Sequence, residues 1–212
     1  MDTDRSSGPG LRMMRGSTGL RVARRHAMLS LVDSGQVLIR RVRPDDGDLL
    51  GAFFHNLSPQ SRRRRFHSGV REVPQSWLDQ FTHHDEDGEL ALLAIAGHAR
   101  TEVCVGEARY ALVDDALLQR EFALVIADAW QGLGIGSRLL CELTRHAEDR
   151  GVETLHGDVL RDNLPMLGLA QRLGYRLLRH PTDATLLRVA LTLNGPRQQI
   201  SVPFSGCEAA PA

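Results

Sequence analysis

One stretch constrains this chain more than any other: Ala127-Asp-Ala-Trp-Gln-Gly-Leu-Gly-Ile-Gly-Ser137. It follows an apolar segment, Glu121-Phe-Ala-Leu-Val-Ile126, and precedes one with Ile135, Leu139, Leu140, Leu143 and Ala147 at helical spacing. The order is therefore strand, glycine loop, helix. Gly132, Gly134 and Gly136 carry no Cβ, so the loop can bend sharply and approach a ligand closely. The first-turn amides of a helix lack internal partners, and the helix dipole favours negative charge there. These features predict an anion site suited to a phosphate or pyrophosphate.

Two other phosphate-binding patterns do not fit. A dinucleotide loop wants G-x-G-x-x-G at the end of a first strand, with an acid about 20 residues on. Here the spacing is Gly132-Leu-Gly134-Ile-Gly136, past the middle of the chain. A nucleoside-triphosphate loop wants Gly-Lys-Ser/Thr, and the chain has no lysine. A lone glycine triplet is also compatible with a tight turn and close helix packing. The run Gln131-Gly-Leu-Gly134-Ile-Gly136, however, resembles the acyl-CoA loop, Q/R-x-x-G-x-G/A, of the GNAT N-acetyltransferase superfamily. A strand at Val152 to Asp158, then Asn163, then a helix ending Leu173-Gly174-Tyr175 follow in the order of that superfamily. The resemblance runs from about Val37 to Leu193. It implies an α/β (α+β) GNAT fold with a mixed, mostly antiparallel central sheet of about six or seven strands. That sheet would be splayed at the acyl-CoA site, with helices on both faces.

Length and composition agree with this. The chain of 212 residues is long enough for one sizeable domain with its own core. Formal net charge is zero, which gives no case for nucleic acid or an acidic membrane surface. All 26 basic residues are arginine, so the protein cannot acetylate itself on a lysine side chain. Cys104, Cys141 and Cys207 are far apart and odd in number, and are read as small buried thiols of a reducing compartment. His83-His84-Asp85-Glu86-Asp87 could suggest a metal, but neighbours in a turn rarely converge on one ion, and no metal is expected. No apolar run reaches the ~18 residues of a spanning helix, and no secretory signal is present. A cytoplasmic protein is expected.

Along the chain, residues 1–36 read as a flexible Arg-rich arm, in which Leu20 to Val32 could form one short amphipathic helix. Residues 37–193 read as the GNAT domain, and 194–212 as a polar tail. Val37 to Val42 reads as a first strand. Pro44-Asp45-Asp46 opens a helix that carries Leu49, Leu50, Phe53 and Phe54. Ser58-Pro59 caps a second helix bearing Arg62 to Arg65, and Pro74 to Phe81 reads as a third. The arginine run is read as a solvated face, with contact to an acidic acceptor or to CoA phosphates as the functional alternative. Leu90 to Ala96 and Val103 to Val113 read as an antiparallel pair in which Gly106 could mark a bulge. Glu121, Ala123 and Val125 share one face of the next strand, and Phe122, Leu124 and Ile126 the other. After the loop come a helix stopped at Gly151, a strand parallel to the last, and a helix capped by Asn163. Tyr175 to Leu178 and Thr185 to Leu193 close the sheet.

Acetyl transfer to an amine meets a specific obstacle. A lysine amine has a pKa of about 10.4, so freeing it of its proton at pH 7 costs roughly 4–5 kcal/mol. A carboxylate at the groove can take that proton. Glu121, at the start of the strand leading into the loop, is the candidate catalytic residue, against the plain alternative of an exposed charge at a strand edge. The runs Glu121 to Gly134 and Leu57 to Phe66 are also similar to bacterial protein-lysine acetyltransferases of the Pat type, in which the matching Glu is the general base. That likeness implies acetyl-CoA as co-substrate and a protein lysine as acceptor, with no nucleic-acid or membrane partner and a homodimer allowed for. A small-molecule amine acceptor, or a non-catalytic acyl-CoA sensor, is the alternative. Domains of that group are often fused to a nucleotide-binding or CoA-ligase-like domain; none fits in this chain, so regulation by an attached sensor is not expected. By the same resemblance, backbone groups of Val125 and Ile126 would pair with the pantetheine arm. Amides of Gln131, Gly132, Leu133, Gly134, Ile135, Gly136 and Ser137 would hold the pyrophosphate, and Asn163 would contact CoA. Many members carry a tyrosine that protonates the leaving thiolate, and the matching position here is Ala170. Tyr175 is read as core packing.

Overall fold

The computed structural model describes residues 27–31, 35–68, 70–82, 88–97, 101–113 and 118–193. Among these, eight strands form one open sheet in the order β1-β2-β3-β4-β5-β6-β8-β7. The strands are β1 (Ala27–Leu31), β2 (Gly35–Arg41), β3 (Leu90–Ala96), β4 (Val103–Leu112), β5 (Gln119–Ile126), β6 (Thr154–Leu160), β7 (Arg176–Arg179) and β8 (Leu186–Thr192). The helices are α1 (Gly47–His55), α2 (Pro59–Phe66), α3 (Gln75–Thr82), α4 (Ile135–Asp149) and α5 (Leu164–Arg172). All neighbouring strands are antiparallel except β5 and β6, which α4 connects in parallel.

The sheet has one strand more than the six or seven expected. The extra strand is β1, inside the segment read as a flexible arm, and it pairs with β2 from Ala27↔Ile39 to Leu31↔Gly35. A strand thus stands where the sequence pattern allows the end of a short helix. Residues 1–26, the turn 83–87 with its two histidines, and the tail 194–212 lie outside the described residues.

Side-chain alternation sorts the core onto two faces. Phe122, Leu124 and Ile126 of β5 face α4 and α5, with Leu139, Leu140, Leu143 and Ala170. Val125 faces the other side, with Leu50, Phe53 and Phe54 of α1 and Leu78 of α3. Leu139, Leu140 and Leu143 are fully buried, and burying each such side chain contributes about 1.5–3 kcal/mol. The β3–β4 register slips between Ala94↔Gly106 and Ile95↔Cys104, leaving Val105 as the extra residue of a bulge beside Gly106. That slip puts Val105, Ala108 and Tyr110 on one face, and turns Glu107 and Arg109 to the other.

The punctuation read from sequence is in place. Ser58 accepts from the Ser61 N–H, and Asn163 Oδ1 accepts from the Met166 N–H at 3.4 Å. Gly151, at φ 74°, follows the end of α4. Cys104 is a buried free thiol, its pKa pushed up to about 12 by desolvation. Cys141 is disulfide-bonded, so the reading of reduced thiols throughout does not hold for it. Among the described residues, no helix is long and apolar enough to cross a membrane.

Candidate functional site

The β5–β6 ladder carries the site. Its register runs from Gln119↔Thr154 to Glu121↔His156 and then stops, while β5 continues to Ile126 paired only with β4. The strands part there, and the sheet is splayed. The Ala127 N–H bonds the Val105 carbonyl, opposite in register. Alternation then turns the backbone of Val125 toward Glu107 of β4, and that of Leu124 and Ile126 toward the gap. The backbone groups that face the gap are therefore those of Leu124 and Ile126, not those of Val125. The Ile126 carbonyl already accepts from Gln131 Nε2 at 3.0 Å, which leaves its N–H as the group facing the gap.

The glycine loop closes the far end of the gap. Gly132 and Gly134 lie at φ 78° and 83°, and a Cβ added to either would meet open space. Gly136 is helical, and a Cβ there would touch Leu169 at an ordinary 3.5 Å. The first turn of α4 contains no acidic side chain to compete with an anion for its free amides. The Gln131 N–H bonds the Asp128 carbonyl at 3.4 Å, so the run of available amides starts at Gly132. Leu133 of the loop and Leu164 at the start of α5 are exposed.

Two cavities meet at Glu121. The larger, of about 1000 Å³, is an open groove whose wall includes Phe66, Trp77, Phe81, Arg109 and Glu121. The smaller, of about 260 Å³, occupies the splay and is bounded by Leu124, Asp158, Asn163 and Met166 as well as Glu121. Glu121 thus reaches both the groove and the gap. Desolvation, followed by the nearby charge of Asp158, raises its pKa above the ordinary glutamate value against the pull of Arg188 and Arg65. Ala170 is fully buried behind the sheet and offers no hydroxyl. The Tyr175 hydroxyl bonds Thr144 Oγ1 at 2.8 Å, and its ring meets Phe122 edge-on, so it is a packing residue.

Three polar clusters were not anticipated. Asp128 accepts from the Ser58 N–H, Ser58 Oγ and Ser61 Oγ at 3.0, 2.7 and 2.8 Å, tying the start of α2 to the glycine loop. Burial pushes the Asp128 pKa upward, but these bonds outweigh it and leave the value lowered. On β6, Asp158 takes both arms of Arg188 at 2.8 and 2.9 Å and His180 Nε2 at 3.0 Å. The arginine run of α2 is also not one solvated face. Arg63 pairs with Asp162 in solvent, Arg64 borders the smaller cavity, and Arg65 is buried against Glu107. Among the described residues, no three metal-ligating side chains converge.

An open mixed sheet, splayed between two parallel strands and closed by a glycine loop at a helix N-terminus, is the arrangement that the GNAT resemblance implies. Residues 52–175 match the Acetyltransferase (GNAT) family. The chain is 32% identical over 160 residues to the acetyltransferase PA5475 of Pseudomonas aeruginosa, covering 76% of this chain and 86% of that protein. It therefore belongs to the GNAT family of acetyltransferases. Among solved structures it is similar to the GNAT domain of S. lividans PAT, at 25% identity and a TM-score of 0.72, over 79% of this chain and 97% of that one. It also shares its fold with yncA of Salmonella typhimurium, solved with acetyl-CoA, at 17% identity and a TM-score of 0.58 over 78% and 99% of the two chains. The protein is an N-acetyltransferase that moves an acetyl group from acetyl-CoA to an amine.

Proposed function

We propose that the acceptor is a protein lysine and that Glu121 is the general base. The observation that carries this reading is the place of Glu121 at the junction of groove and splay, where an incoming amine would meet the thioester. In this scheme the pantetheine arm lies along Leu124 and Ile126, and the amides from Gly132 to Ser137 hold the pyrophosphate. Asn163 borders the gap beside them. The amine gives its proton to Glu121, directly or through water, and its nitrogen attacks the thioester carbonyl. The Ile126 N–H stabilises the oxyanion. The C–N bond forms, the C–S bond breaks, and CoA leaves as the thiolate, while the second proton of the new amide nitrogen passes to that thiolate or to water. With Ala170 in place of a tyrosine, the thiolate departs without a hydroxyl from that position. A thiol of pKa about 8.5 tolerates this near neutral pH. The likeness of Glu121 to Gly134 and of Leu57 to Phe66 to Pat-type domains supports a lysine in a protein. The aromatic wall of Phe66, Trp77 and Phe81 suits its long aliphatic arm.

The test is transfer of labelled acetyl from acetyl-CoA into a lysine-containing cell extract, with protein and small molecules counted separately. Label is expected in protein. Label confined to small molecules would replace the lysine reading with a metabolite amine. Glu121→Gln is expected to lower kcat about 10²–10⁴-fold with acetyl-CoA affinity kept. A variant within threefold of wild type would remove Glu121 from the mechanism.

A further inference from the structure

We propose that Arg65 is a positioning residue for the transfer: clamped by the buried Glu107, it holds a fixed positive charge between the two cavities and keeps Glu121 in its proton-accepting form. The inference rests on Glu121 being the base.

A run of four arginines on a short helix would ordinarily point into water, yet the Arg65 side chain is only 8% exposed. The cause is Glu107, turned inward by the bulge at Val105 and completely buried. Desolvation pushes the Glu107 pKa up, but Arg65 and Arg109 outweigh it and keep the group ionised. Arg65 Nε bonds Glu107 Oε2 at 3.2 Å, and Arg109 Nε bonds Oε1 at 2.6 Å. Two guanidinium groups on one carboxylate leave the cluster one net positive charge. Arg109 is otherwise engaged, lying 3.7 Å over the Phe81 ring and donating to the Phe81 carbonyl at 3.2 Å. Arg109 borders only the groove, whereas Arg65 borders both cavities, as Glu121 does.

Arg188 pulls on Glu121 more strongly than Arg65 does, but its charge is offset by Asp158. Asp158 of β6 opposes ionisation more strongly than Arg188 of β8 favours it, and the two are bound together at 2.8 and 2.9 Å. His180 Nδ1 accepts from the Asp183 N–H at 2.9 Å, so its Nε2 donates to Asp158. His156 of β6 and His67 after α2 have pKa values lowered by burial. Arg64 borders the smaller cavity alone.

The experiment is the pH profile of kcat/KM for wild type, Arg65→Gln, Arg65→Lys and Arg109→Gln. Beside it, the Glu121 carboxyl is titrated by ¹³C NMR, its resonance assigned with Glu121→Gln. Arg65→Gln is expected to raise the acidic limb and the Glu121 titration together by about one pH unit, so that activity on the limb falls about tenfold. Glu107 keeps Arg109 as a charged partner, so the variant folds. Arg65→Met, which preserves packing on Phe66, serves as a second neutral substitution. Arg65→Lys keeps the limb in place. Arg109→Gln costs Glu107 the same number of partners and lowers the melting temperature, but shifts the limb less than Arg65→Gln, because Arg109 borders only the groove. A uniform loss of activity in Arg65→Gln with an unmoved titration, or an equal shift in Arg109→Gln, would overturn the proposal. Full activity in Glu121→Gln would instead overturn the base assignment, and the NMR titration would still report on Arg65.

Discussion

Glu121 carries its charge against its surroundings, and that has two measurable consequences. Its folded pKa is raised by burial and by Asp158, so the group contributes stability below its unfolded pKa and loses it as pH rises through the folded value. At pH 7 the ionised side chain is therefore a burden on the fold. Glu121→Gln should melt at or above the wild-type temperature while losing turnover, and a clear drop in melting temperature would contradict this account. A base must be unprotonated, so kcat/KM should fall with decreasing pH along a limb above the ordinary carboxylate range. The glycine loop gives a second contrast. Gly134→Ala places a Cβ at φ 83°, at about 1–2 kcal/mol, and points it into the space a ligand would fill. Its KM for acetyl-CoA should rise at least tenfold, whereas Gly136→Ala, with only ordinary contacts, should stay near wild type. Equal effects at the two positions would sink the loop assignment. The loop was legible because its chemistry is local: glycines, a strand before them and a helix after. Glu107 was not, because its partner Arg65 lies 42 residues away in sequence and nothing local announces the pairing.

Helix α2 is the element that joins the two sides of the site. Asp128 holds its first turn to the glycine loop, and Arg63 ties it to Asp162 just before α5. Asp128→Ala removes three hydrogen bonds and should cost about 1–2 kcal/mol of stability in a urea titration. Because the freed helix walls both cavities, KM should rise for acetyl-CoA and acceptor together, and a stability loss with both KM values unchanged would deny the latch a role in binding. The ends of α2 and α5 could be read directly, since Ser58-Pro59 and Asn163 are capping chemistry. The strand β1 could not. Ala27-Met-Leu-Ser-Leu31 is too short and mixed to declare a period, and its state is decided by the partner it finds in β2. The arginine run failed as a single reading for a related reason. Four side chains on a helix point in different directions, and only the fold decides which meets a buried carboxylate.

Across the whole molecule, the sheet order puts β1 at one edge, four strands from β5. A protein beginning at Gly35 should thus bind acetyl-CoA with unchanged affinity in calorimetry, though with lower stability from an uncovered β2 edge. A weakened affinity would mean that the edge reaches the site. Apart from β1, the strands and the glycine loop are legible in local pattern, and their arrangement in one sheet is what the GNAT likeness implies. The width of the splay is not legible there, since it depends on where the β5–β6 register ends. That ending makes the sheet two panels, β1 to β5 and β6 to β8, hinged on three residue pairs and propped by helices. A pantetheine arm laid between them would act as mortar in an unfinished joint. Such a protein stiffens as it loads, and at a hundred times Kd the bound state would gain about 2.7 kcal/mol over the empty one. Its heat tolerance in the cell would then follow the local supply of acetyl-CoA.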